Sequence, residues 1–521
     1  MTLDPITREV MAHAFAGIAE EMGLVLIHSA VSPNIRERRD ASAALFDAAG
    51  DMIAQAAHIP VHLGALADAV AAVRAERPRP GELYIVNDPY AGGSHLPDLT
   101  LVGVIRTADG VGGFSVVRAH HSDVGGATPG SMPAGARELY AEGVIVPPVP
   151  FTPEVERLLL ANVRTPEVRR ADLAAQRAAV ERGAEAMWTL AARHGWAFVN
   201  AAARDLMDDA ERRTQAVLAR LPSGAATATD WLEGDGITDE DIAITVRVEI
   251  RDGTLHADFS GTAPAVAGNV NCPLAVTRAA VLFAVQTLIG DETPMNAGVT
   301  RVVRVTAPAG CLVHARHPSA VAAGNVETSQ RIADVMMRAL GNLGAAVPGQ
   351  GQGTMNNVAF GAGSIPERGE WTYYETIGGG QGAGPSAPGP SGVHVGMSNT
   401  RNTPIEVLET EFPVRVRRYE LRSGSGGSGR WPGGLGVIRE YEMLARAEGS
   451  ILSERRRRGP RGSNGGRDGT PGRNLINGKP VAAKQNLRLQ VGDVIRIETP
   501  GGGGWGGTGG GRGRMNSRTE G

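Results

Sequence analysis

The stretch Gly92-Gly93-Ser94-His95-Leu96-Pro97-Asp98-Leu99-Thr100-Leu101-Val102-Gly103-Val104-Ile105 joins a glycine-opened loop to an apolar run. The run is short and rich in β-branched residues, so it reads as a buried strand. The loop before it places an imidazole and a carboxylate three residues apart, with Pro97 stiffening the backbone between them. A second unit has the same logic. Phe114-Ser115-Val116-Val117 reads as a strand, and Arg118-Ala119-His120-His121-Ser122-Asp123-Val124-Gly125-Gly126 follows at its end. Two such strand ends side by side would close a mixed N/O site with an open position, the arrangement catalytic metals use.

Working outward, Ile6, Val10, Met11, Phe15, Ile18, Met22 and Leu26 predict a helix over 5–31, with Pro5 in its first turn. A second helix is expected over 62–76, and Leu83-Tyr84-Ile85-Val86 reads as another strand. Residues 152–222 read as helical, and 242–259 as a hairpin turning at Asp252-Gly253. Helices are expected again at 275–289 and 326–342. From 349 to 445 the chain is glycine-rich with short strands, and 506–521 reads as a disordered tail. The expectation is a mixed α/β (α+β), multi-domain protein. Its divisions fall at 1–150 (α/β, with the metal loops), 151–235 (helical), 236–445 (glycine-rich α/β), 446–505 (β/loop) and 506–521 (tail).

Composition narrows the function. A net charge of -3 gives no basic field to attract nucleic acid. The run Arg455-Arg456-Arg457-Arg458 reads as a solvated loop, with a phosphate or subunit contact as the other reading. Two isolated cysteines, Cys272 and Cys311, are expected as buried thiols in a reducing compartment. No signal-peptide core and no uncharged apolar run of 18 residues is seen, so a cytoplasmic protein without membrane contact is expected. The only two lysines are Lys479 and Lys484, which leaves the first 478 residues without a Schiff-base or phosphate-loop lysine. Gly478-Lys479 runs into Pro480 and is no nucleotide motif, and Gly424 to Gly429 spells a dinucleotide loop without a strand–helix frame. Glycine is in excess, 71 residues, which calls for positive φ or close backbone approach.

Between positions 40 and 123 the candidate ligands are Asp40, His58, His62, Asp88, His95, Asp98, His120, His121 and Asp123. Histidine with aspartate suits zinc, manganese or iron better than calcium. Loop histidines and aspartates also cap turns, so spacing alone leaves a metal site and a structural role both open. Pro60 between His58 and His62 argues for core or supporting roles there, and Asp88 before Pro89 reads as a turn residue.

Taken together, these motifs resemble the hydantoinase B/oxoprolinase family along residues 3–505. The resemblance is carried by Glu37-Arg38-Arg39-Asp40-Ala41-Ser42, His58 to Gly64, Asn87-Asp88-Pro89-Tyr90 and Gly92 to Asp98. It continues through His120 to Gly126, Gly268-Asn269-Val270-Asn271, Ala323 to Ser329, Tyr374 to Gly380 and Asn399 to Glu406. It ends with Thr499 to Gly506, where Trp505 replaces the more usual tyrosine.

The resemblance implies an A-type partner subunit that binds ATP and Mg and phosphorylates the amide oxygen of a small cyclic amide. This B-type chain would supply a divalent metal centre that completes hydrolysis. It implies metal ligands at Asp40, His95, Asp98 and His120, the last preferred over His121. His121 and Asp123 are then expected as catalytic residues that orient ligands or move a proton. Glu142 is a weaker candidate for that role and reads otherwise as a strand-edge turn residue, while Asn325, Glu327 and Glu375 could line the cavity or serve as structural hydrogen-bonding residues. The same folds occur in acetone and acetophenone carboxylases, so an ATP-dependent ketone carboxylase subunit is the alternative. A scaffold subunit with structural histidines is a third reading.

Overall fold

The computed structural model describes residues 3–57, 59–62, 64–108, 110–362 and 369–507. His58 and the tail beyond Gly507 lie outside these. The expected mixture of helices and sheets is what the chain forms.

The first helix, Pro5–Ser29, starts where Asp4 accepts hydrogen bonds from the Ile6 and Thr7 amides, both at 3.1 Å. Among the described residues it is the one helix long and apolar enough to cross a membrane. Its Met11, Phe15, Met22 and Leu26 are buried in a core shared with the first sheet, as in a core helix of a globular protein. The second expected helix is shorter, Ala65–Ala75, because Pro60–His62 forms a separate 3-10 turn ahead of it.

The first sheet has six strands: β1 (Ala41–Asp47), β2 (Met52–Ala57), β3 (Leu83–Val86), β4 (Asp98–Thr107), β5 (Gly110–His120) and β6 (Val149–Pro150), in the order β2-β1-β5-β4-β3-β6. Its two faces feed two different cores. Leu45, Leu99, Leu101, Val117 and Ala119 pack toward helices Pro5–Ser29 and Pro166–His194. Phe46, Val102, Val104, Phe114 and Val116 pack toward Ala65–Ala75. Coverage of both faces explains why β4 and β5 read as continuous apolar runs.

Register places the candidate ligands. β4 and β5 pair antiparallel with Asp98 opposite His120. β1 pairs on the other side of β5 with Ala41 opposite Ala119, and the His120 amide donates to the Asp40 carbonyl at 3.0 Å. Three adjacent strand ends therefore bring Asp40, Asp98 and His120 to one edge.

The expected helical stretch holds Pro153–Leu160, Pro166–His194 and Trp196–Leu218. The expected hairpin is present as β8 (Asp241–Arg251) and β9 (Thr254–Asp258), but within a four-stranded sheet. β7 (Gly224–Glu233) pairs with β8, and β10 (Val303–Thr306) runs parallel to β9. Helix Leu274–Ile289 matches its expected span. Helix Ser329–Asn342 begins later than expected because Gly324–Thr328 forms a π-helical turn.

Two further sheets share one apolar core around Phe360, Tyr373, Val414, Tyr441 and Ile495. One consists of Thr372–Glu375, Asn357–Gly361, Ala447–Leu452 and Lys484–Leu489, in that order; the other runs from Val414–Leu421 through Val437–Met443 and Val494–Glu498. Strands from both sides of residue 445 share each sheet.

Beside them lies a bundle of extended glycine segments. The Gly502, Gly503 and Gly504 amides donate to the carbonyls of Gly434, Gln350 and Arg467, each at 2.9 Å. A β-carbon on Gly501, Gly502 or Gly503 would run into the carbonyl of Ser425, Gln381 or Arg461. Close backbone approach, more than positive φ, accounts for the glycine excess here.

Candidate metal centre

His95, Asp98 and His120 converge at the edge formed by β1, β4 and β5. His95 Nε2 is 3.1 Å from Asp98 Oδ1, His120 Nδ1 is 3.2 Å from the same oxygen, and the two ring nitrogens are 3.2 Å apart. All three side chains are buried, and their potential ligand atoms lie within 4.8 Å of one another. Asp98 Oδ2 accepts from the Ser94 hydroxyl at 2.5 Å.

Burial opposes charge on Asp98, but the nearby His95 and hydrogen bonds from His120, His62 and His95 outweigh it and hold the carboxyl well below its usual range. At His95 burial opposes the proton while Asp98 favours it, and the balance lies above the ordinary histidine value. At His120 burial wins and the value falls below it.

The cluster has an outer layer. His95 Nδ1 faces the Ala322 carbonyl at 3.4 Å. With a proton held on that nitrogen, Nε2, on Asp98's side, would be the one to give up its proton and ligate a cation. The Glu142 carboxyl, fully buried, accepts from the Val321 and Ala322 amides at 2.9 and 2.8 Å and so fixes that carbonyl. Burial pushes Glu142 up to about 8 despite those two bonds. His120 is stacked on Tyr374, with ring centres 4.4 Å apart and planes inclined by 19°. The Tyr374 hydroxyl donates to Asn357 at 2.7 Å.

A small cavity of about 10 Å³ adjoins the cluster, lined by Asp40, His62, Asp98, His120, Asn325 and Tyr374 with apolar Val61, Val326 and Met355. This is close to the room of one water-sized sphere. His62 Nδ1 lies 2.9 Å from the Ser42 hydroxyl and Nε2 lies 3.4 Å from Asp98 Oδ2. His120 Nε2 and Asn325 Oδ1 are buried there without a hydrogen-bond partner. Orphaned polar atoms cost roughly 1–3 kcal/mol each. With an ionised carboxylate and imidazoles at its edge, the donor set fits a divalent cation with nitrogen and oxygen ligands.

Of the four expected ligands, His95, Asp98 and His120 form the cluster. Asp40 lines the adjoining cavity, with its carboxylate 3.8 Å from the buried Arg38.

His121 and Asp123 make their hydrogen bonds elsewhere. Alternation along the strand turns His121 to the opposite face from His120. There its Nε2 meets Gln176 Oε1 at 2.8 Å, while Gln176 donates to the Leu99 carbonyl. Burial, then the charge of Arg169, lowers His121 to about 4, a neutral imidazole. Asp123 accepts from the amides of Gly125, Gly130 and Arg164 and from the Arg164 guanidinium, at 2.9–3.1 Å. Both side chains are engaged in holding the loop and the long helix.

Glu375 is likewise taken up, by Arg439, Tyr441, Asn402 and the Thr403 amide. Glu327 accepts from the Met355 amide and Asn357, and burial with the charge of Glu454 raises it to about 8. The sequence did not single out Tyr374 as a cavity residue. His62, read there as core or supporting, stands beside Asp98.

The profile of the Hydantoinase B/oxoprolinase family matches residues 4–508. A putative B-type D-/L-hydantoinase subunit from Pseudomonas sp. is 31% identical over 97% of this chain and 90% of its own. The 5-oxoprolinase 1 of Arabidopsis thaliana is 36% identical over 96% of this chain, which spans only 42% of that longer protein. Among solved structures, the ATP-dependent caprolactamase of Pseudomonas jessenii is 29% identical, with a TM-score of 0.89 over 97% of this chain and 92% of that one. A nucleotide-free acetone carboxylase shares the fold, at 17% identity and a TM-score of 0.83 over 96% of this chain and 76% of that one. The chain therefore belongs to the hydantoinase B/oxoprolinase family.

Proposed function

We propose that this chain is the metal-carrying B-type subunit of an ATP-dependent cyclic-amide hydrolase, acting on a substrate that a separate A-type subunit phosphorylates with ATP and Mg. The observation that carries the reading is the fully buried His95–Asp98–His120 cluster beside its small cavity. Likeness to a caprolactamase and to a hydantoinase subunit supports the reaction class. The long 5-oxoprolinase leaves more than half its length outside the match, room for a fused partner, whereas the B-type hydantoinase chain does not.

His95, Asp98 and His120, with Asp40 across the cavity, would hold zinc, manganese or iron. Such an ion polarises an oxygen and lowers the pKa of water toward about 7. The chain's own residues do the rest. Phosphorylation of the amide oxygen makes the ring carbon open to water. One water adds there and the ring C–N bond breaks, which leaves an acyl phosphate; a second water then releases phosphate and the free carboxylate. The ring nitrogen must depart with a proton, and His62 Nε2 is placed to take one from the adding water and pass it on, with the ring held by Ser42 at Nδ1. Asn325, delivered by the π-helical turn with Oδ1 unpartnered, orients the substrate. Val61, Val326 and Met355 keep bulk water out.

The test is metal content by mass spectrometry on the purified chain beside His95→Ala and Asp98→Ala, followed by turnover with ATP and an A-type partner. About one metal ion per wild-type chain, lost in both variants, with bicarbonate-independent hydrolysis of a cyclic amide, is the expected result. Wild type that binds no metal after reloading returns the histidines to a structural role. Turnover that requires bicarbonate assigns a ketone carboxylase instead.

A further inference from the structure

A cleft of about 370 Å³ lies away from the metal-ligand cluster, along helix Ser329–Asn342. One wall is apolar (Phe283, Met337, Val347) and the other carries Arg338 and Arg461.

The charge arrangement is unusual for this protein. The run Arg455–Arg458, which reads as a solvated loop, is instead paired. Arg455 bonds Asp230 and Asp334 at 3.0 and 2.7 Å, and Arg456 bonds Asn356 and Asn474 at 2.7 and 2.9 Å. Arg457 and Arg458 both reach Asp241.

Arg338 and Arg461 differ. Among the described residues neither has a carboxylate within ion-pairing distance. Arg338 donates only to the Thr229 carbonyl, at 3.3 Å. The Arg461 guanidinium rests 5.8 Å from the centre of the Trp231 ring, and the carboxyl that shares the cleft, Asp334, is paired with Arg331 and Arg455 at 3.1 and 2.7 Å. Burial and the charge of Arg461 make the Arg338 proton easier to lose, as expected of two guanidiniums that repel each other. Two such groups in a partly desolvated cleft, without an ion pair of their own among the described residues, are free to grip an anion.

We propose that this cleft binds a small oxyanion, a carboxylate or a phosphate, between Arg338 and Arg461, with any apolar body lying against Phe283, Met337 and Val347. The site is separate from the metal cluster yet connected to it. Gln330 lines the cleft and accepts from the Met397 amide at 3.3 Å, and the Met397 carbonyl accepts from the amide of Val61. Val61 is a wall of the small cavity. The proposal does not depend on a metal being bound.

The experiment is calorimetric titration of the full chain with inorganic phosphate and, separately, with hexanoate, at constant ionic strength. The variants are Arg338→Met, Arg461→Met, Arg461→Lys and Asn342→Glu. The last leaves both arginines in place and sets a carboxylate on an exposed cleft residue. Saturable binding of either anion is expected, weakened about tenfold by each Met variant and by Asn342→Glu, and largely kept by Arg461→Lys. The anion that binds identifies the source. Wild type that binds neither anion overturns the proposal. So does unchanged affinity in Asn342→Glu, or in the Met variants if they melt like wild type.

Discussion

The His120 imidazole lies nearly parallel to the Tyr374 ring, 4.4 Å away, although the two residues are 254 positions apart in sequence. Tyr374 comes from a strand of the third sheet, so one of the metal-binding imidazoles proposed here is oriented by a different part of the fold. Tyr374→Leu is expected to weaken metal binding by about tenfold or more through loss of the stack and of ring orientation. Tyr374→Phe, which keeps the stack and loses only the bond to Asn357, should stay within a few-fold of wild type. A chelator-competition titration measures both.

Asn325 offers a different separation of effects. It faces the cavity but belongs to neither the cluster nor its hydrogen bonds. Asn325→Ala is expected to keep full metal content and lose about 10–100-fold in kcat. Loss of metal in this variant would mean that it helps hold the ion rather than the substrate.

His121 and Asp123 bear on stability. His121→Ala and Asp123→Asn each leave buried polar groups unpaired, at about 1–3 kcal/mol. Melting temperatures should fall, while metal stoichiometry measured below the melting point should not. A variant of either residue that folds normally but loses its metal would place that residue in the metal site.

The two buried glutamates predict a pH dependence. Glu142 and Glu327 are each raised to about 8 in the folded chain, from an ordinary value of 4.5. Folding therefore takes up protons between these values. The stability these groups contribute is complete below about pH 4.5 and is lost as pH rises through 8. The melting temperature should decline from pH 6 to pH 9. Glu142→Gln with Glu327→Gln, neutral throughout, should decline less steeply in a thermal melt across that range.

The apolar runs after Asp98 and before Arg118 are legible as strands and form β4 and β5, and the loops at their ends carry the cluster. Register is not legible, because no local signal sets Asp98 opposite His120. β7 escapes notice because its alternation is Ala with Thr, too weak a hydrophobic contrast to stand out. Glu142 is undervalued for a related reason: its partners, the Val321 and Ala322 amides, lie about 180 residues away. The glycines are legible as a demand on the backbone, but their use in stacking extended segments depends on all the segments at once.

That glycine bundle also dictates an order of assembly. Its members come from around residues 350, 380, 427, 434, 461 and 502, and Gly502 to Gly504 lie among all the others. During synthesis, the earlier segments have a gap along their length until the ribosome has released residue 504. A chain cut before Pro500 would keep both candidate metal loops and every expected ligand, yet leave that bundle open at its centre. Those late-emerging glycines are thus the ones that close the protein.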